Sequence, residues 1–283
     1  MRPAVIALSL ALACGPTEPA RSQPAPTPAA PMAIDVDARG AAWDRAVASL
    51  ADTRGELAAA WRAADTAVER AAIRDRASAA LVAAIADELA PAWFGMRWGM
   101  GRDSTATRPF APDQTISCSY FVGAVLSGAG FRLHDRFKLG QAAALDIQRR
   151  LVGGRGEVHR FLSIPPADLA TRIARLGDGV YVIGLANHVG LVVVRGVDVL
   201  EGGSAGLGPG ERGSATNLLE AVQFVHANYL GAAVVTSEPL ATSPAIAASQ
   251  PKGYFVSPLV TAAGAADDWL IERWLTGAAV GPR

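Results

Sequence analysis

The stretch from residue 180 to residue 194 most constrains the fold, because it holds two nearly continuous apolar runs. The first run extends from Val180 to Leu185 and the second from Val189 to Val194. Short apolar runs that are rich in valine and isoleucine are typical of strands buried in a sheet. The pattern therefore predicts two buried strands, with His188 opening the second.

A second stretch predicts a helix that begins at a cysteine. Polar residues lead up to Cys118, and apolar residues then recur with helical spacing at 121, 122, 125, 126 and 129. Thr115 or Ser117 is expected to cap the start of this helix, and Gly130 to end it. A thiol in the first helical turn is expected to have a lowered pKa, since the free backbone N–H groups and the helix dipole favour the thiolate. Cys118 is therefore a candidate nucleophile.

His188 is the candidate general base for this thiol. A histidine that opens a strand and faces a cysteine at a helix start is the arrangement of papain-like thiol hydrolases, in which the base takes the thiol proton and returns it to the leaving group. A lone buried cysteine, or a lone histidine at a strand end, is more often structural. The prediction of catalysis rests on the two residues together.

Three segments carry a resemblance to a known family: Cys-Ser-Tyr-Phe-Val at 118–122, Gly-Asp-Gly-Val-Tyr-Val at 177–182 and His-Val-Gly at 188–190. In this order they resemble the NlpC-type papain-like family of bacterial cell-wall peptidases, over residues 93–236. The chain departs from the family at Tyr120, where a glycine is usual, and at Ser117, where an aspartate is usual. The resemblance implies an α+β papain-like domain with an antiparallel sheet and the nucleophile at a helix N-terminus. It also implies cysteine peptidase activity, with peptidoglycan stem peptides as the substrate.

The resemblance further implies a third residue that orients the histidine ring from the neighbouring strand, which in the family is a histidine, asparagine or glutamine. After a turn at Gly196, residues 197–201 are predicted to return as that strand. Glu201 is the polar residue nearest the required place, and its carboxylate would fix the tautomer of His188. Asn187 is the runner-up. As the immediate neighbour of His188 on a strand, however, it would point to the opposite face.

The N-terminus predicts export and a lipid anchor. Residues 1–13 hold one arginine and an apolar run that is too short to span a bilayer but has the length of a signal-peptide core. The run ends at Cys14 in a pattern that resembles a bacterial lipobox, which implies lipidation of Cys14. The alternative is an ordinary secretory leader, cut near Ala13 or Ala20. We expect an exported bacterial lipoprotein that is held at a membrane, on the periplasmic side or the cell surface.

The remaining chain divides into three predicted regions. Residues 14–37 form a Pro/Ala-rich linker, residues 38–91 a helical hairpin and residues 92–283 the catalytic domain. Late in the catalytic domain, the pattern predicts a helix over Asn217–Asn228 and a strand over Leu230–Thr236.

Composition and motifs exclude several functions. The chain has 26 basic and 26 acidic residues, and no basic run that would favour nucleic acid. No metal-binding motif occurs, so neither a metal nor a cofactor is expected. Residues 202–206 match G-x-S-x-G, but Gly208-Pro209-Gly210 follow where a serine hydrolase needs a helix. Two alternatives stay open: an inactive binding or assembly module of the same fold, and an amidase or acyltransferase that acts on a lipid or a small amide.

Overall fold

A six-stranded antiparallel sheet lies at the centre of the computed structural model, which describes residues 34–153, 157–197, 215–261 and 268–280. The sheet order is β1-β6-β2-β3-β4-β5. The strands are β1 His159–Phe161, β2 Gly179–Gly184, β3 Val189–Val194, β4 Val222–Ala227, β5 Val235–Pro239 and β6 Tyr254–Thr261. The two strands predicted over 180–194 are confirmed as β2 and β3, which pair with each other from Gly179↔Val194 to Gly184↔Val189.

Helices cover both faces of the sheet, so the α+β class is confirmed. Alternation along β3 sends Val189, Leu191 and Val193 into one core, and Val192 and Val194 into the other. The helices are α1 Val36–Ala63, α2 Ala67–Ala83, α3 Cys118–Gly128, α4 Arg136–Gln141, α5 Ala144–Leu151, α6 Pro166–Ala174, α7 Ala215–Glu220, α8 Pro244–Ser249 and α9 Asp268–Thr276. None of the helices in the described ranges has the length and apolar composition that crossing a membrane requires.

The predicted hairpin helices are present as α1 and α2, and local sequence explains where they begin. Asp35 accepts a hydrogen bond from the backbone of Ala38 at 2.8 Å and caps α1. Thr66 and Glu69 form a capping box at the start of α2. A π-helical turn, Ala84–Leu89, continues α2. The hairpin shares its core with the sheet, since side chains of both helices pack in the same cluster as β3.

Three tryptophans from distant parts of the chain hold α3 in place. The Trp43 ring packs against Gly128, where a Cβ atom would lie 2.3 Å from the ring, and it meets Trp93 edge-on with centroids 5.5 Å apart. Trp93 in turn contacts Phe121 of α3, at 6.0 Å. Trp274 of α9 donates its indole N–H to the carbonyl of Ala129 at 2.7 Å. The hairpin and the last helix therefore fix the helix that begins at Cys118.

The Gly-Asp-Gly segment at 177–179 has a structural role. The carboxylate of Asp178 accepts from the backbone N–H groups of Gly196 at 2.6 Å and Val197 at 2.8 Å. Asp178 immediately precedes β2, and the two N–H donors lie in the turn after β3. The side chain of Asp178 therefore ties together one end of the central strand pair.

Two predictions for the second half of the sheet are wrong. The helix expected over 217–228 ends at Glu220, and β4 follows, with the predicted strand over 230–236 shifted to β5. Pairing with β3 on one side and β5 on the other outweighs the helical pattern of this segment. The neighbours of β3 are thus β2 and β4. Of the strand expected over 197–201, Val197 is not in a strand and the rest, including Glu201, lies outside the described residues.

Candidate active site

Cys118 is the first residue of α3, as predicted, but the expected side-chain caps are absent. Ser117 occupies the N-cap position without making a side-chain cap bond, and the Thr115 hydroxyl pairs instead with that of Ser104 at 2.8 Å. The helix ends at Gly128, and Gly130 follows the C-cap residue Ala129 as predicted, with a φ of +84° that suits a residue without a Cβ atom. With no side chain over its start, α3 leaves its first backbone N–H groups directed at the thiol.

The environment of the thiol differs from the sequence-based expectation. Burial raises the pKa of Cys118, and the backbone N–H groups of Val189, Ser119 and Cys118 itself only partly oppose this by favouring the thiolate. The desolvation of the buried sulfur therefore outweighs the stabilisation of the thiolate by the backbone N–H groups at the helix start. The resting thiol is neutral at pH 7.

His188 lies immediately before β3, at the turn that connects it to β2. The backbone N–H of Leu185 donates to the carbonyl of His188 at 2.8 Å, which closes this turn. The ring is buried, with 4% of the residue exposed. Its Nε2 atom lies 2.7 Å from Nδ1 of His226, whereas its Nδ1 atom is buried and has no hydrogen-bond partner.

His226 occupies the position that the resemblance assigns to a third residue. It lies on β4, is fully buried and places its Nε2 atom 3.3 Å from the carboxylate of Glu238 on β5. The sequence did not single out His226, because residues 217–228 were expected to form a helix; the valines and the phenylalanine of Val222–Ala227, which favour a strand, were the available signal. Asn187 is exposed and lines the cavity described below.

The carboxylate of Glu238 allows the tautomers of both rings to be assigned. The pKa of Glu238 is lowered chiefly by its hydrogen bond to His226, so the group is an ionised acceptor at pH 7. In a neutral His226 ring, Nε2 carries the proton that is donated to Glu238, and Nδ1 is left as an acceptor. His188 Nε2 in turn carries a proton and donates it. The lone pair of His188 is thereby placed on Nδ1, as a base requires.

Gly190 makes the close approach of the two histidines possible. A Cβ atom at this position would lie 2.6 Å from the Phe224 ring and 2.9 Å from the Cβ of His226. With glycine there, the rings of Phe224 and His226 stack at 4.0 Å between centroids. The glycine of the His-Val-Gly segment therefore gives β4 the room to bring His226 against His188.

The charge state of His188 follows from its surroundings. Burial, and secondarily the neighbouring His226, lowers the pKa of His188 to about 3. Burial thus favours the neutral form of both the thiol and the imidazole at rest. No hydrogen bond joins Cys118 to His188 Nδ1.

Cys118 and His188 line the same cavity, which has a volume of about 470 Å³. Its apolar and aromatic walls come from Trp98, Met100, Tyr120 and Tyr229. Besides the cysteine and histidine, its polar side chains are Ser117, Ser119 and Asn187, and the tyrosines and Trp98 add two hydroxyls and an indole N–H. Tyr120, which replaces the family's glycine, packs over Gly140 and so brings α4 to the wall of the cavity.

Among the described residues, no cluster of three or more His, Cys, Asp or Glu side chains is arranged to hold a metal ion. Cys14 and Glu201 lie outside the described residues, so the lipidation and orienting roles predicted for them stay predictions. Comparisons with protein-family models, with curated proteins and with solved structures found no significant match to this chain.

Proposed function

We propose that this protein is a thiol hydrolase that cleaves an amide bond through an acyl-enzyme, with Cys118 as the nucleophile and His188 as the base. The observation that carries the proposal is that both side chains line one cavity, while the buried Nδ1 atom of His188 is left without a partner. The resemblance makes peptidoglycan stem peptides the first substrate to test. A lipid on Cys14 would hold the enzyme at the membrane surface.

The first half of the reaction forms a thioester. His188 Nδ1 accepts the thiol proton as the sulfur of Cys118 adds to the carbonyl carbon, since neither group is charged beforehand. The backbone N–H of Cys118, at the open start of α3, is the proposed donor for the oxyanion. His188 then returns its proton to the amine nitrogen as the C–N bond breaks, and the amine leaves.

The second half of the reaction consumes water. A water molecule gives one proton to His188 Nδ1 as its oxygen adds to the thioester carbon, and the C–S bond then breaks. The sulfur recovers that proton, and a carboxylic acid is released. Throughout, His226 and Glu238 act as positioning residues: they hold the ring in one tautomer and offset the positive charge that appears on His188.

The test compares Cys118→Ala and His188→Ala with His134→Ala, which changes an exposed histidine outside the cavity. Purified muropeptides are the substrates, and products are identified by mass spectrometry. The first two variants should lose at least about a thousandfold in activity, whereas His134→Ala should keep wild-type activity. Cys118→Ala should melt within roughly 4 °C of the wild type.

Trapping of the thioester separates an enzyme from an inactive module of the same fold. A covalent adduct on Cys118, seen by intact mass spectrometry after rapid acid quenching, is expected only of an enzyme. Full hydrolysis by Cys118→Ala would refute the mechanism, and the absence of any adduct with every acyl donor would favour the binding module.

A further inference from the structure

We infer that the acyl group delivered to Cys118 is an uncharged, linear apolar chain, such as a fatty-acyl group in an amide. This inference rests on the proposed thiol-hydrolase function. It departs from the stem-peptide substrate that the resemblance implies, and it names the substrate class from the surface around the nucleophile.

The first line of evidence is the absence of charge among the described residues of the cavity wall. Stem peptides carry carboxylates and an ammonium group, which need partners when they leave water. The described lining offers no Asp, Glu, Lys or Arg side chain, and its one histidine is buried and neutral. An uncharged acyl chain needs no such partner.

The second line of evidence is the kind of polar group that the described wall offers, which is an isolated neutral side-chain group in each case. A peptide in an extended conformation brings one N–H and one C=O for each residue, and each costs free energy if it is left unpaired. The Ser119 hydroxyl already donates to the carbonyl of Gly140. Outside the proposed dyad, the described wall then offers the side chains of Ser117 and Asn187, the hydroxyls of Tyr120 and Tyr229 and the indole N–H of Trp98, and none of these groups is charged. A hydrocarbon chain has no backbone groups to satisfy.

The third line of evidence is the apolar surface at the mouth of the cavity. Seven large hydrophobic residues are exposed in the described part of the chain, and three of them gather here. Met100 is 81% exposed and Tyr229 is 38% exposed, and both line the cavity. Phe137, which is 52% exposed, packs at 6.0 Å against the ring of the lining residue Tyr120. Such a concentration of exposed apolar surface marks a binding site for an apolar group, here one that extends beyond the cavity.

Acyl p-nitroanilides of increasing length test this inference on the full-length protein, below their aggregation concentrations. From acetyl to octanoyl, kcat/KM should rise by up to roughly fourfold for each methylene that becomes buried. The matched probe is the suberoyl mono-p-nitroanilide, which has the same chain length as the octanoyl compound but ends in a carboxylate. It should react at least about tenfold more slowly than the octanoyl compound, because its charge finds no partner in the cavity.

Two matched surface variants locate the effect. Met100→Glu places a carboxylate at the mouth and should lower kcat/KM for the octanoyl substrate by about tenfold. Val68→Glu is the control, because Val68 is 79% exposed on α2 and does not line the cavity. It should leave the whole series unchanged.

The outcomes separate the two proposals. A flat chain-length series, or a preference for the suberoyl compound or for muropeptides with a thioester on Cys118, overturns the apolar-acyl inference and leaves the thiol-hydrolase function standing. Hydrolysis that persists in Cys118→Ala, or no hydrolysis of any substrate, overturns both.

Discussion

His188 Nε2 and His226 Nδ1 lie 2.7 Å apart, in two rings that are 4% and 0% exposed. The two residues are separated by 38 positions in the sequence and are joined by the pairing of β3 with β4. His226 is hydrogen-bonded in turn to Glu238. Through His226, the carboxylate of Glu238 therefore sets which nitrogen of His188 is free to act as a base. Glu238→Gln and the pH dependence of stability test this series of three side chains.

Removing the charge of Glu238 should weaken the base without removing it. Glu238→Gln preserves the shape but loses the negative charge that offsets a positive His188, so kcat/KM should fall by about 10- to 100-fold. The acidic limb of the pH–rate profile should also move to lower pH, because the loss of a nearby negative charge lowers the pKa of the base. The profile is measured with the best substrate found.

Two other carboxylates are the controls for that experiment. Glu220→Gln changes an exposed residue at the end of α7 and should behave as wild type. Glu201→Gln tests the residue that sequence analysis put in the orienting role. A loss of activity in Glu201→Gln that exceeds the loss in Glu238→Gln would return that role to Glu201.

Stability should fall as the pH is lowered from 7 to 5. The folded-state pKa of His188 is about 3, below its unfolded value of 6.5, so the unfolded state takes up more protons in this window. The expected loss is at most roughly 1 kcal/mol per pH unit, measured by urea denaturation. Below 4.5, protonation of Glu238 and other carboxylates adds a further loss in the same direction.

The matched variants assign this pH dependence to one ring. His188→Gln should flatten the slope between pH 7 and pH 5, while His134→Gln, at an exposed position, should keep it. An unchanged slope in His188→Gln would show that the buried ring is not its source.

Alkylation of Cys118 should report a neutral thiol. In a Cys14→Ser background, the second-order rate with iodoacetamide should be low at pH 7 and still be rising above pH 9, because burial raises the thiol pKa. N-acetylcysteine, which titrates near ~8.5, is the reference thiol. A rate that is already at its plateau by pH 7 would instead indicate a stabilised thiolate of the kind that the sequence predicts.

Two glycine-to-alanine changes in helices should have opposite effects on stability. At Gly128 a Cβ atom would lie 2.3 Å from the Trp43 ring, so Gly128→Ala should cost about 1–3 kcal/mol. At Gly55, on the exposed side of α1, a Cβ atom would meet nothing within 4 Å. Gly55→Ala should therefore stabilise the protein by about 0.5–1 kcal/mol. Equal shifts in chemical denaturation would contradict the packing of Trp43 on α3.

Local patterns were sufficient for part of the site. Helical spacing after Cys118 and the two apolar runs at 180–194 placed the cysteine at a helix start and the histidine at a strand start, and both positions are confirmed. The pKa of the thiol was not predictable in this way, since it depends on burial and on contacts with segments distant in sequence, such as the backbone N–H of Val189 at the start of β3.

The sequence by itself determined the central strand pair and the helix that begins at Cys118, because hydrophobic periodicity is a property of neighbouring residues, while the expectation of an α+β class came from the resemblance. Only the tertiary structure decided that His226 and Glu238 are hydrogen-bonded in series to His188. Residues 215–227 carry a helix and then a strand in quick succession, and β4 becomes a strand through its hydrogen bonds to β3 and β5. The physical reason is that a strand forms its backbone hydrogen bonds with segments distant in sequence. The local sequence of β4 therefore does not determine that it is a strand or which of its side chains are buried.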